Sequence, residues 1–162
     1  MLYLATKMNQ LKFSDLMAVY VEGNRENGAL FSPELPECEQ IFQAEQSFYQ
    51  YLDKSFFCVP GAVYAIWEEQ GRYISALRLE PYEDGLLLTA LETAPEYRQK
   101  GYATQLIQAV QAQFPEKIYS HVSKHNRASL RVHEKCGFRR VLEYARYLDG
   151  SVARNAVTLC CR

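Results

Sequence analysis

Apolar positions recur along this chain in two rhythms. Leu2 to Thr6 is a short apolar run of strand length. From Phe13 to about Glu22, Leu16, Val19 and Tyr20 return at helical spacing, with Ser14 or Asp15 placed to cap. Gly23, Asn24, Asn27 and Gly28 predict a break after that helix, and Ser32 to Pro36 a loop. A longer helix follows, with Ile41, Phe42, Phe48, Tyr49 and Leu52 as its buried stripe. The rhythm then changes to that of strands. Ala62 to Trp67 and Tyr73 to Leu79 read as a hairpin across Glu69-Gln70-Gly71-Arg72. Leu86 to Thr93 is apolar enough for a central strand, and Pro95 stops it.

The helical rhythm returns at Leu106, Ile107 and Val110, and Pro115 ends that segment. Ile118 to Val122 is a strand. Asn126 caps a helix over Arg127 to Lys135, and Gly137 stands where a C-terminal cap glycine belongs. Phe138 to Leu148 and Val152 to Leu159 read as a last hairpin across Asp149-Gly150. The order β-α-α-β-β-β-α-β-α-β-β predicts an α/β fold. Its mixed sheet has about seven strands, with about four helices, in one domain spanning 1–162.

Composition bounds the function without naming it. With 162 residues, 48% hydrophobic and 23% charged, the chain is expected to be soluble and globular. No signal-peptide run or membrane-length apolar stretch is present, so a cytoplasmic protein is expected. Five irregularly spaced cysteines without a CxxC pair argue for reduced thiols and no metal site. The net charge of -1 hides a division. Residues 1–97 hold 15 acidic and 6 basic side chains, a net of -9, and residues 98–162 hold 4 and 12, a net of +8. Lys124, Arg127, Arg131, Arg139 and Arg140 lie in the basic half. The overall charge is nonetheless not basic and no nucleic-acid motif accompanies them. A homodimer is compatible with the sequence.

The stretch Arg98-Gln99-Lys100-Gly101-Tyr102-Ala103 opens an apolar helix. A glycine turn at a helix start offers outward backbone amides and little bulk, which is what a pyrophosphate needs. Neither GxxxxGK[ST] nor GxGxxG is present, so ATP-type and dinucleotide loops are excluded. With the strand before it, Leu91-Glu92-Thr93-Ala94-Pro95-Glu96-Tyr97 to Ala103 resembles the central motif of the GNAT superfamily of acetyl-CoA-dependent N-acetyltransferases. The core of that motif is (Gln/Arg)-x-x-Gly-x-(Gly/Ala). Asn126 to Phe138 resembles the family's next motif, a helix closing on Gly-Phe.

The resemblance implies a GNAT-like fold whose central strands splay apart, with acetyl-CoA as acyl donor and a small-molecule amine as acceptor. It implies that backbone groups at Leu91 and Thr93 hold the pantetheine arm. Amides of Gln99, Lys100, Gly101, Tyr102 and Ala103, with the Thr104 hydroxyl, would hold the pyrophosphate beside the charges of Arg98 and Lys100. Asn126, Ser129 and His133, three and four apart, share one helix face. His133 stands where family members often carry a tyrosine, and is expected to protonate the departing thiolate. Asn126 and Ser129 are expected to touch the cofactor. Glu92 is the candidate base, although strand alternation puts it opposite Leu91 and Thr93 unless a bulge intervenes. Cys136 is a poor nucleophile candidate.

Glu22, Arg25, Glu26 and Asn27, the aromatics Phe48, Tyr49 and Tyr51, and Trp67, Arg78 and Tyr82 lie in the region expected to cover the acceptor. The acidic first half favours a cationic amine, against which Arg25 and Arg78 could instead bind a carboxylate. A non-catalytic acyl-CoA-binding module is the alternative reading, kept open by the missing tyrosine.

Overall fold

The computed structural model describes residues 1–162. The two rhythms resolve into one sheet with a helical layer on each face. Seven strands pair in the order β1-β2-β3-β4-β5-β9-β6, namely β1 (Leu2–Ala5), β2 (Val63–Glu69), β3 (Arg72–Tyr82), β4 (Gly85–Thr93), β5 (Lys117–Ser123), β9 (Ala156–Cys161) and β6 (Arg139–Leu142). All neighbours are antiparallel except β4 and β5.

Strand alternation sorts the core into two halves. On one face Tyr64, Ile66 and Ala76 meet Leu16, Val19, Leu52 and Phe56, from α1 (Phe13–Val19), α3 (Glu37–Lys54) and the turn after it. On the other, Ala65, Leu77, Leu79, Leu88, Ile118 and Val157 meet Leu106, Ile107 and Val110 of α4 (Tyr102–Gln113). These three α4 residues are fully buried. Each contributes about 1.5–3 kcal/mol of transfer free energy, which pins the start of α4 against the sheet. Leu130 and Val132 of α5 (Arg127–Lys135) pack on the same side.

The structure departs from the sequence reading at several places. Of the expected α3 stripe only Leu52 is buried, while Phe42 and Tyr49 are exposed, and α1 starts without a side-chain cap from Ser14 or Asp15. The Gly23–Gly28 stretch does not break the chain but lies inside a further helix, α2 (Val21–Phe31), giving five helices. The reason is tertiary. A Cβ on Gly28 would sit 2.6 Å from the Gln40 carbonyl oxygen, so the glycine is what lets α2 lie against α3. Packing outweighs the ~1 kcal/mol helix cost of glycine. The last hairpin is also divided. β6 pairs with β9, while β7 (Ala145–Arg146) and β8 (Val152–Ala153) form a separate ribbon around Asp149-Gly150. No helix is long and apolar enough to cross a membrane.

Candidate functional site: a splayed strand pair and an unpaired helix start

The site begins where β4 and β5 part. They pair only over Gly85–Leu88 and Lys117–Ser120, so the rest of β4 has no partner on its β5 side. In this open stretch Ala90 has φ +52°. Arg78 faces Thr89 and Ala76 faces Glu92, so Leu77 faces two residues, a β-bulge. The bulge resets alternation. Leu86, Leu88 and then Leu91 lie on the α4 face, whereas Ala90 packs with the α1–α3 cluster. Glu92, opposite Ala76, lies on the α1–α3 face, and Thr93, whose hydroxyl is 2.9 Å from Ser75 Oγ, on the other.

A single 3-10 turn over Pro95–Tyr97 carries the chain to Gln99 (φ +61°) and Gly101 (φ +85°). These two left-handed residues fold the chain back onto the start of α4. A Cβ at Gly101 would meet no protein atom within 4 Å, so its bare face opens outward. Six consecutive amides, from Gln99 to Thr104, donate to no protein acceptor; the first satisfied one is Gln105, bonded to the Gly101 carbonyl at 3.0 Å. A row of free N–H groups at a helix N-terminus fits a pyrophosphate.

The turn and α5 enclose a groove of about 580 Å³. Leu91, Glu92, Thr93, Arg98, Gln99, Gly101, Tyr102, Ala103 and Thr104 line it from one side, and Asn126 and Ser129 from α5. Asn126 caps α5 as its position suggested, its Oδ1 accepting from the Ser129 amide at 3.0 Å. Tyr97, Ala128, Val132 and Lys135 also line the groove and were not picked out from sequence. The small residues Ala128 and Ser129, with Val132 one turn on, are the signal that marks this helix face.

Two expected positive charges are engaged by the protein itself. Lys100 is outside the lining; its Nζ donates to the Glu96 carbonyl at 2.9 Å and lies over the Tyr97 ring. Arg98 lines the groove, but its guanidinium is engaged. Its Nε donates to the Thr93 carbonyl, and its terminal nitrogens pair with Glu22 and, at 3.6 Å, Glu92. Arg98 therefore ties the turn to β4 and α2, and only its backbone faces a ligand freely.

His133 is the main correction. It is 1% exposed and lies beneath the groove lining, its ring edge-on to Phe138 at 4.9 Å. Nδ1 is 2.8 Å from the Ser129 carbonyl oxygen, which can only accept, so Nδ1 carries the hydrogen. Nε2 is then a lone-pair acceptor, buried without a partner. Burial holds the imidazole below its ordinary range, although the Ser129 bond opposes this. A neutral ring in this tautomer can take a proton at Nε2 but cannot give one there.

Glu92 is half-exposed at the edge of the groove. Burial raises its carboxyl above the usual range; Arg98 opposes that, and Glu22 and Glu26 reinforce it. The neighbouring Tyr20 hydroxyl, at the junction of α1 and α2, donates to the Ala90 carbonyl at 2.6 Å. Burial pushes the Cys136 thiol up to about 11, which leaves it unreactive. No three His, Cys, Asp or Glu side chains come together as a metal site.

On the α1–α3 face a second cavity of about 460 Å³ lies between α2 and α3. Asn24, Asn27, Gln40, Gln43, Ser32 and Ser47 give it polar walls, and Phe48 and Tyr51 line it beside Arg78. Arg78 is its one charged residue.

Residues 28–138 match the Acetyltransferase (GNAT) family. No curated protein matches the chain. Among solved structures, it is similar to the PaiA N-acetyltransferase from Thermoplasma acidophilum in complex with coenzyme A. That likeness has 13% identity and a TM-score of 0.62 over 100% of this chain and 99% of the other. A spermidine N-acetyltransferase SpeG mutant from Vibrio cholerae is 21% identical, with a TM-score of 0.60 over 99% and 93%. A GNAT family acetyltransferase from Elizabethkingia anophelis with acetyl-CoA bound is 15% identical, with a TM-score of 0.54 over 72% and 82%. The splayed β4–β5 pair, the glycine turn and the match over residues 28–138 agree, and the chain belongs to the GNAT acetyltransferase family.

Proposed function

We propose that this chain, acting as one domain over 1–162, is an N-acetyltransferase that passes the acetyl group of acetyl-CoA directly to the amine of a small acceptor. The observation that carries the reading is the row of six amides from Gln99 to Thr104 with no protein acceptor, set beside the open edge of β4. In this reading those amides and the Thr104 hydroxyl hold the pyrophosphate, and Lys135 adds positive charge across the groove. Backbone groups of Leu91 and Thr93 hold the pantetheine arm, and Asn126 and Ser129 flank it. Acetyl-CoA supplies the acyl group as a thioester.

Glu92 takes the proton of the incoming ammonium, directly or through water. Its raised pKa brings it closer to that task than an ordinary carboxylate. Glu22, Glu26 and Glu92 outnumber the single Arg98 cation that pairs with two of them, and the remaining negative charge draws the ammonium end of the acceptor to the splay. The spermidine N-acetyltransferases among the structural relatives support a small amine as acceptor. With His133 set as an acceptor at Nε2, solvent in the groove protonates the thiolate.

That arrangement of His133 also favours a second reading, a module that binds acyl-CoA without turnover. One experiment separates the two. Release of free thiol from acetyl-CoA is followed across an amine panel while CoA binding is measured in parallel. Amine-dependent release establishes the transferase; binding without release on any amine establishes the module.

A further inference from the structure

The α2–α3 cavity contains a cation that no carboxylate contacts as an ion pair. Arg78 projects from β3 on the α1–α3 face, directly across from Tyr64 of β2. Its guanidinium carbon lies 4.9 Å from the Tyr51 ring centre, 5.8 Å from Phe56 and 6.0 Å from Phe48. Three rings thus hold the plane of the group in place. Glu80, two residues along the same face of β3, lies within electrostatic reach of Arg78 but forms no ion pair with it. No carboxylate pairs with Arg78, and it makes no hydrogen bond. Its Nε is buried and unpartnered, and the buried Tyr64 hydroxyl beside it faces the Tyr20 hydroxyl. Arg25, the other basic residue of this region, is paired with Glu37 at 3.2 Å.

Buried donors left unmade are costly, and a guanidinium presents a fork shaped for two oxygens of one anion. Around it the cavity offers only neutral amides and hydroxyls, which can bond an oxyanion but cannot balance its charge. The opposite sign of field is found a short way along the same face. Glu92 follows Ala90, whose carbonyl accepts from Tyr20, and the Tyr20 hydroxyl is within electrostatic reach of both Arg78 and Glu92.

We infer that Arg78 is the specificity-determining residue of the acceptor site, and that the acceptor carries an oxyanion as well as its amine. The amine end points to Glu92 and the anionic end seats on Arg78, with Tyr64 as a second donor. This rests on the transferase reading and narrows it. The expectation of a cationic acceptor applies to the reacting end alone, and a polyamine would place a second ammonium against the Arg78 guanidinium. Carboxylate and phosphate-like groups share the chemistry that the fork recognises.

The test compares acceptors of matched length and different far ends: 5-aminopentanoate, 4-aminobutylphosphonate, pentylamine and 1,5-diaminopentane, extended to ω-amino acids of two to six carbons. The expected result is a kcat/KM for an anionic-ended acceptor about 100-fold above that of the matched amines, from one charged bidentate contact. Whether the carboxylate or the phosphonate leads identifies the anion. Arg78→Gln should remove that preference through KM while leaving CoA affinity unchanged, and Arg78→Lys should keep part of it. Arg78→Lys also serves if Arg78→Gln does not fold. Binding of 5-aminopentanoate and 4-aminobutylphosphonate, titrated without acetyl-CoA, keeps the site testable even if no acceptor is turned over. Binding of either that is lost in Arg78→Gln supports the assignment whatever becomes of the transferase reading. Equal or better turnover of diaminopentane, or binding of both anions that ignores Arg78→Gln, overturns it.

Discussion

Replacing Gly101 with valine separates two effects that its backbone combines. Gly101 has φ +85°, where any side chain is strained, by roughly 1–2 kcal/mol. That strain is present with and without ligand, so it lowers stability and largely cancels in binding. At about 2–4 °C per kcal/mol for a chain of this size, Gly101→Ala and Gly101→Val should both melt about 2–8 °C lower. Binding is affected through space. No protein atom lies within 4 Å of the missing Cβ, so a side chain there meets only what occupies the groove. A branched valine removes the close approach of a phosphate to the amides and with it at least one charge-assisted hydrogen bond. At about 1.5–3 kcal/mol this weakens CoA by ten-fold or more. Gly101→Ala, with a single methyl, should lose less. Calorimetric titration of CoA beside thermal melting measures both quantities. A folded Gly101→Val protein with parental CoA affinity would refute the assignment of this turn.

Further outcomes follow from the same geometry. Glu92→Gln should lower kcat by about 10²-fold or more at neutral pH. The parental kcat/KM should rise with pH through a carboxyl pKa above the ordinary 4.5, because the base works deprotonated, and the variant should lack that limb. His133→Phe should change kcat by less than about ten-fold, since the buried Nε2 has no proton to give. Its pH effect should be on stability. The folded pKa lies below 6.5, so the unfolded chain binds more protons as pH falls. Stability from this group is full above 6.5 and is lost toward the folded value; melting curves of His133→Phe should lack that acid-side loss. Gly28→Ala should lower stability by about 1–3 kcal/mol in denaturant titrations, as its Cβ would meet the Gln40 carbonyl at 2.6 Å.

The turn before α4 and the frame of α5 were legible in sequence because their features are local. Pro95, Gly101 and Pro115 mark the turn and both ends of its helix, and Asn126 with Gly137 frame the next one. What was not legible depends on contacts far apart in the chain. The face of Glu92 depends on a bulge at an alanine, a residue type that gives no sign of a left-handed backbone. Arg98 reads as a free phosphate ligand until Glu22, 76 positions away, is seen to bind it. The spacing of Asn126, Ser129 and His133 is truly helical. α5, however, rolls so that Ala128, Val132 and Lys135 take the groove and His133 goes under it. Arg78 could be placed on a strand from sequence, but its ring of aromatics comes from α3 and the turn after it.

The central claim is that the amides from Gln99 to Thr104 receive the pyrophosphate of acetyl-CoA. Acetyl-CoA titrated into 15N-labelled protein, followed amide by amide, tests it most directly. The account predicts the largest shifts at Gln99, Lys100, Gly101, Tyr102, Ala103 and Thr104, with smaller ones at Leu91, Thr93 and Ser129. Saturable binding that leaves those six amides unmoved and shifts another part of the chain would contradict it.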